Sequence, residues 1–334
     1  MSERVPLDRV EFRGAGLNRP ECLVTHESGS VFAADWFDTG GVAIVRPDGD
    51  VSRVIAKRPI DDPLRPNGIA LEAGGTFLVA HLGPETGGLF RLHPDGRCET
   101  VLRELNGEAL PPSNFPLVDS RGRIWLTIST RKVPRALDYR PDADSGFIVL
   151  IENGIARIVA DGLGYTNECV LSSDEKTLFV NETFAQRLTR FSVQEDGSLT
   201  DRTTVARFGA GTFPDGVILD AAGDFWITSI VSNRVIRVSR NGLQSTILEE
   251  SDPMHLDEVE LAFHEGRMGR SHLDGSPART LRNISSLSFG GPSMNEAYLG
   301  CLLGDRIAVF NPPARGIPPF SYTAPLGPLS RQVS

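Results

Sequence analysis

The chain has no stretch apolar and long enough to cross a bilayer as a helix. Its longest apolar run, Phe147 to Ile151, is five residues in a chain of 334, against the ~20 that a spanning helix needs. The opening residues, Met1-Ser2-Glu3-Arg4-Val5-Pro6, lack the apolar core of a secretion signal. Cysteine is scarce: Cys22, Cys98, Cys169 and Cys301 are scattered and form no CxxC pair. That pattern fits reduced thiols and argues against a disulfide frame, so a cytoplasmic protein without a membrane partner is expected. Basic surplus is absent too. Lys and Arg number 34 against 43 Asp and Glu, for a net charge of −9, and nothing is left over to displace counterions from a nucleic acid. There is no GxSxG elbow and no GxxxxGKS loop, which weighs against serine hydrolases and P-loop nucleotide hydrolases.

Turn residues, by contrast, are abundant, with 34 Gly and 23 Pro. Short β-rich runs such as Val42-Ala43-Ile44-Val45, Ile124-Trp125-Leu126-Thr127-Ile128 and Phe225-Trp226-Ile227-Thr228 are bounded by Gly, Pro, Asp or Asn. The hairpin dipeptides Asp48-Gly49, Asp95-Gly96, Asn153-Gly154, Asp196-Gly197 and Asn241-Gly242 recur about every 45 residues. Blade-like units align on this period. Arg65-Pro66-Asn67-Gly68-Ile69-Ala70-Leu71 begins one, and Phe213-Pro214-Asp215-Gly216-Val217-Ile218-Leu219 begins another. Such repeats predict an all-β fold, a six-bladed β-propeller with a central channel, forming a single domain over 1–334. The expected blades are roughly 15–60, 61–106, 107–162, 163–210, 211–250 and 283–320. Residues Arg9 to Arg13 are expected to close the ring against the last blade. An insertion at 251–282, with His255, His264 and His272, reads as a lid over the channel mouth or as a solvated loop.

In a propeller the first strand of each blade lines the channel, so equivalent starts of those strands converge on the axis. Here they are Glu21, Asn67, Asn114, Asn167, Asp215 and about Asn283, with spacings of 46, 47, 53, 48 and 68. Carboxylates and carboxamides buried together need a partner, and an oxygen-only set suits a hard divalent cation. Calcium is the first expectation, with Zn, Mg, Mn or Fe as alternatives. Asn, Asp and Gly are also ordinary turn residues, so each single position is ambiguous.

These positions carry a family resemblance. Arg19-Pro20-Glu21, Pro66-Asn67-Gly68, Thr166-Asn167 followed by Leu171-Ser172-Ser173-Asp174, and Pro214-Asp215-Gly216 followed by Asp220-Ala221-Ala222-Gly223-Asp224 resemble the SMP-30/gluconolactonase/LRE (regucalcin-like) family over Asn18 to Phe310. The resemblance implies a six-bladed propeller with one catalytic divalent metal held by Glu21, Asn167 and Asp215. Asn114 matches a blade-three Asn that binds metal or substrate in the family. The chain departs from the pattern at Cys22-Leu23, where the family usually has Gly-Pro, and at Glu168, where it usually has Gly. It also has Pro112 and Phe115 where several sugar lactonases have Arg and Asp. The last departure removes an anchor for a sugar and points toward an apolar or aryl substrate.

The implied activity is a metal-dependent hydrolase, foremost a lactonase opening a small-molecule lactone or ester, with metal-activated water and Asp215 as general base. The same equipment would suit an esterase, a phosphotriesterase or an enolate-type lyase or isomerase. A non-catalytic metal-binding propeller is the alternative outside enzymes. Second strands return to the same mouth, so Trp36, His81 and Asn181, with Asn67 and Phe115, are the expected substrate-binding residues. Trp36 and Phe115 would supply an apolar wall. Oligomeric state is not legible.

Overall fold

The computed structural model describes residues 4–57 and 63–333. Among them the chain forms six four-stranded antiparallel sheets, each a simple meander, arranged as a six-bladed β-propeller. Blade one runs Leu23–Thr25, Val31–Asp35, Gly41–Val45 and Val51–Ile55, and blade two Pro66–Leu71, Phe77–His81, Leu89–Leu92 and Cys98–Leu102. Blade three is built from Ser113–Val118, Ile124–Ile128, Gly146–Glu152 and Ile155–Leu163, and blade four from Thr166–Leu171, Thr177–Glu182, Arg187–Val193 and Leu199–Arg207. Blade five comprises Phe213–Leu219, Phe225–Ile230, Arg234–Val238 and Gln244–Glu249. Blade six takes Ile284–Gly290, Glu296–Cys301 and Ile307–Phe310 and borrows its outer strand, Glu11–Arg13, from the other end of the chain. The register Glu11 to Val309, Phe12 to Ala308 and Arg13 to Ile307 closes the ring, as the sequence suggested. The expected limit between blades one and two, at residues 60 and 61, lies outside the described residues. No helix is long and apolar enough to cross a membrane among the described residues.

The hairpin dipeptides behave as their chemistry requires: Gly49, Gly96, Gly154, Gly197 and Gly242 all have positive φ, between 76° and 91°. Two blades share a second device. Asp119 accepts from the backbone N–H of Arg121 and Arg123 (3.0 and 2.9 Å) and from Trp125 Nε1 (3.1 Å). Asp220 does the same for Ala222, Asp224 and Trp226 (2.9, 3.0 and 3.1 Å). Each aspartate pins the turn between first and second strands and seats a Trp between blades. Trp125 packs with Leu178, Val180 and Phe191 of blade four, and Trp226 with Phe289 and Ala297 of blade six. The core is therefore a ring of inter-blade seams, each burying the apolar faces of two sheets.

The first strands contact one another around the axis. In blades two to six each of them carries a register irregularity, at Pro66/Ile69, Ser113/Phe115, Thr166/Cys169, Pro214/Val217 and Ile284/Leu287. A bulge adds a residue that breaks the in-and-out alternation and re-aims a side chain. Here it turns Asn67, Asn114, Asn167 and Asp215 toward the channel. Gly68 and Gly216 serve close packing at these bulges: a Cβ at Gly68 would sit 2.6 Å from Phe115 Cα, and one at Gly216 would sit 2.7 Å from the Ser285 carbonyl oxygen. The bulge in blade six falls at Ser285-Ser286, so the sixth member of the ring is Ser285 and not Asn283. Asn283 instead accepts from Val231 N–H (2.6 Å) and donates to the Leu273 carbonyl (2.9 Å), which ties down the 251–282 insertion.

Glu182, at the end of the second strand of blade four, is fully buried. It accepts from Gly164 N–H (2.6 Å), from Arg187 Nε and Nη2 (2.7 and 2.6 Å), from Thr189 Oγ1 and from Arg202 Nη2 (3.2 Å). Burial pushes its carboxyl up, but the hydrogen bonds from Arg187, Gly164 and Thr189 outweigh it and hold the group below the ordinary 4.5. Because its folded value is depressed, Glu182 stabilises the protein fully above the unfolded value and ceases to do so as pH falls through the folded one. Glu182→Ala is expected to cost about 2 kcal/mol in denaturant unfolding at pH 7, since it removes the buried acceptor shared by the Gly164 N–H, Thr189 and two part-exposed guanidiniums. The gap between wild type and variant should close as pH falls below 4.5. A gap that is unchanged in acid would contradict this role.

Candidate metal centre

At one mouth of the channel lies a cavity lined by Glu21, Asn67, Asn114, Asn167 and Asp215, with Arg19, Arg135, Tyr139, Tyr165, Phe184 and Arg270 among the residues above them. Its free volume is about 40 Å³. The five acidic and carboxamide residues are each no more than 5% exposed. Their hydrogen bonds leave a specific remainder. Asn114 Nδ2 donates to Ser129 Oγ (2.9 Å), and Asn167 Nδ2 donates to Thr183 Oγ1 (3.1 Å), which in turn donates to the Pro214 carbonyl (2.8 Å). Glu21 Oε1 accepts from Asn67 Nδ2 at 3.0 Å. Four buried oxygens then have no partner: Glu21 Oε2, Asn114 Oδ1, Asn167 Oδ1 and Asp215 Oδ1. Unpartnered buried acceptors are costly, and four on one cavity wall form an unmet demand for positive charge.

Asn67 differs from the other carboxamides. Its Oδ1 accepts from Arg19 Nη1 (3.1 Å), so both ends of its amide are engaged within the protein. It holds Glu21 on one side and Arg19 on the other.

Burial pushes the Asp215 carboxyl well above the ordinary range, with Glu21 and then Glu168 adding repulsion. Glu21 is raised too, by burial, against the pull of Arg19 and the Asn67 hydrogen bond. Glu168 is a third buried carboxyl of the channel. Its Oε2 accepts from Val217 N–H (3.2 Å), its Oε1 is unpartnered, and burial followed by Glu21 pushes it well above the ordinary range. It lines a separate, apolar cavity of about 390 Å³ at the other end of the channel, with Phe115, Ile69, Val217 and the segment around Phe320. The oxygen set fits a hard divalent cation, with two carboxylates supplying charge and two carboxamides supplying neutral oxygens. Among the described residues no group of three or more His, Cys, Asp and Glu side chains forms a metal cluster of the charged kind.

The structure brings Glu21, Asn67, Asn114, Asn167 and Asp215 together and leaves the other expected substrate contacts elsewhere. Trp36 donates Nε1 to the Pro66 carbonyl (2.7 Å) and has the guanidiniums of Arg19 and Arg65 over its ring, so it stands behind the cavity wall. His81 Nδ1 accepts from Arg65 N–H (3.0 Å), and its ring meets Phe90 edge-on. Phe115 belongs to the cavity at the opposite end. Asn181 Nδ2 donates to the carbonyls of Asp215 and Gly216 (3.1 and 3.0 Å), bracing the bulge from behind.

The apolar wall is made of Tyr139, Tyr165, Phe184, Ile230, Leu273 and Leu302. Tyr139 and Tyr165 both lie 4.7 Å from Phe184, centroid to centroid. Tyr139 and Arg135 come from the long connection at 129–145 in blade three, whose length was the one available signal. The insertion folds into helices α1 (Pro253–His264) and α2 (Arg270–Asp274). Leu256, Val259, Phe263, Met268 and Leu273 pack on Tyr139, Tyr165, Phe184 and Phe213, so the insertion covers this mouth, and its Arg270 and Leu273 reach the cavity. His255, His264 and His272 do not line it.

Comparison with known proteins bears on the fold and the lineage. The family model of the SMP-30/Gluconolactonase/LRE-like region matches residues 63–250. A lactonase, drp35 of Staphylococcus saprophyticus, is 26% identical over 197 residues, which are 53% of this chain and 54% of that protein. The match thus spans about half the length of that curated relative. Among solved structures, a gluconolactonase from Xanthomonas campestris superposes with a TM-score of 0.64 at 20% identity, covering 90% of this chain and 88% of that one. Regucalcin from Agrobacterium tumefaciens, described as a calcium-binding protein, gives 0.62 at 17% identity, covering 94% and 97%. The two superpositions speak for the fold, and the sequence match for the lineage. With its matched segment running from blade two through blade five, this chain belongs to the SMP-30/gluconolactonase/LRE-like family.

Proposed function

We propose that this chain is a divalent-cation-dependent hydrolase that opens a small-molecule lactone, with Glu21, Asn114, Asn167 and Asp215 holding the ion. The observation that carries the reading is the set of four unpartnered, buried oxygens on one cavity wall. Calcium suits the hard oxygen set, and a relative of the same fold is described as calcium-binding. A bound divalent ion would supply electrophilic activation of the ester carbonyl and a lowered pKa for water. Asp215 takes the proton of the attacking water as the new C–O bond forms, and returns it to the ring oxygen as the ring C–O bond breaks. A hydroxy acid results, with atoms and charge balanced. Asn67 positions Glu21 and Arg19. Ser129 and Thr183 turn the oxygens of Asn114 and Asn167 inward by accepting from their amides. Tyr139, Tyr165, Phe184 and Leu273 exclude water from the reacting ring.

The reading has a steric consequence. A free volume of about 40 Å³ suffices for an ion and about one water, not for a lactone. On this reading segment 251–282 moves to admit substrate and acts as a lid.

Two outcomes are expected. Chelator-treated protein should lose lactone hydrolysis and lower its melting temperature, and calcium should restore both. Asp215→Asn should lower the rate by about 10³-fold and abolish the calcium-dependent rise in melting temperature. Its metal-free form should melt no lower than the wild type, since a repelling buried charge is gone. Hydrolysis indifferent to both chelation and Asp215→Asn would refute the reading, and a calcium-dependent melting shift with every lactone and ester inert would favour a non-catalytic metal-binding propeller. For the lid, Gln186 Nε2 donates to Glu260 Oε1 (3.0 Å) between blade four and α1. A short bis-maleimide bridge across Gln186→Cys and Glu260→Cys should cut turnover at least about tenfold relative to the unbridged double variant. Equal turnover in both forms would show that the lid need not move.

A further inference from the structure

Three guanidiniums face the cavity from three separate elements: Arg19 just before Glu21, Arg135 in the 129–145 connection and Arg270 in α2. Arg19 is held at φ 57°, a backbone region that a non-glycine residue occupies only when its surroundings impose it. Its Nε is buried without a partner, and its Nη1 meets a neutral amide, Asn67 Oδ1. Arg135 bonds to the Tyr165 hydroxyl, a neutral group, at 3.4 Å. Of the three, only Arg270 has an ion-pair partner among the described residues, with Nε 2.7 Å from Asp274 Oδ2.

Among the described residues, the acidic side chains lining the cavity are Glu21 and Asp215. On the reading above, these two carboxylates are neutralised by the divalent ion they hold. The loaded site then presents at least two uncompensated guanidiniums to the substrate. Such charges gathered around one cavity repel one another and favour an anionic guest, and the planar guanidinium fork matches a carboxylate in two-point fashion.

We infer that the substrate is an acidic lactone, one carrying a carboxylate in addition to the ester to be opened, with Arg19, Arg135 and Arg270 as its specificity-determining residues. This inference rests on the hydrolase reading of the same site. It also supplies, from different elements, the cationic anchor that is absent at Pro112.

The test compares two ligands that differ in one charge: γ-butyrolactone bearing a carboxylate on the ring carbon next to the ring oxygen, and its carboxamide. With calcium-loaded enzyme, kcat/KM for the acid should exceed that for the amide at least about tenfold. Arg135→Gln and Arg270→Gln should each bring the ratio toward one by raising KM for the acid more than for the amide. Arg135→Lys should retain part of the preference, and added salt should weaken the acid alone. A ratio at or below one, or a ratio unmoved by both Gln variants, overturns the inference. Calorimetry with the two ring-opened products separates it from the hydrolase reading. If neither lactone is opened but the dicarboxylate product binds at least tenfold tighter than its amide, and loses this in Arg135→Gln, the arginine-borne preference for an acidic ligand stands while hydrolysis fails. If both lactones are opened equally well, hydrolysis stands and the inference fails.

Discussion

Two carboxylates on one axis, out of water, set the terms for the rest of this molecule. Glu21 and Asp215 repel each other across the channel, and burial raises the cost of ionising either. A protein that needed only a packed core would place apolar residues there. Instead the bulges in successive inner strands turn oxygen after oxygen toward the same space. The glycines Gly68 and Gly216 let those strands approach closely enough for the oxygens to face one another. Ser129, Thr183 and Asn181 hold the arrangement from behind. The cost is built in repeatedly, and the proposed cation would offset it.

The remainder of the mouth is organised around the same charges with opposite sign. Arg19 shares Asn67 with Glu21, so one carboxamide spaces a buried carboxylate from a guanidinium. Tyr139, Tyr165 and Phe184 form an edge-to-face aromatic wall, onto which α1 and α2 dock. The insertion is thus part of the site's roof, and its packing explains the small enclosed volume. Blade seams, far from the axis, carry a different load. The Asp119–Trp125 and Asp220–Trp226 devices and the Glu182 network fix turns and seams without touching the cavity.

Much of this was legible in the sequence, for physical reasons. Asp-Gly and Asn-Gly turns report a period because their backbone conformation restricts residue choice, and the period gives blades. Ring positions followed from the period, so Glu21, Asn67, Asn114, Asn167 and Asp215 were found together. The sixth was misplaced at Asn283 because the insertion disturbs the count there, while the bulge at Ser285-Ser286 has no signature in residue type. Second-strand residues were harder. The expectation that Trp36, His81, Phe115 and Asn181 would surround the substrate assumed that strand order determines which way a side chain points. Bulges and neighbouring blades redirect them: Asn181 braces Asp215 from behind, and Phe115 faces the opposite cavity. Arg135, Tyr139 and Arg270 lie in a connection and an insertion, which have no period to align. Arg19 was visible in Arg19-Pro20-Glu21, but its role depends on a positive φ that composition does not reveal.

The central claim is that one divalent cation is held on the channel axis by Glu21, Asn114, Asn167 and Asp215. A crystal grown with calcium and measured near an accessible absorption edge, with manganese as a replacement ion, tests this most directly. The account predicts a single strong anomalous peak in the channel, with oxygens of all four side chains at metal-ligand distance and Asn67 Oδ1 still on Arg19. An anomalous map without a peak between Glu21 and Asp215, in crystals saturated with the ion, would contradict it.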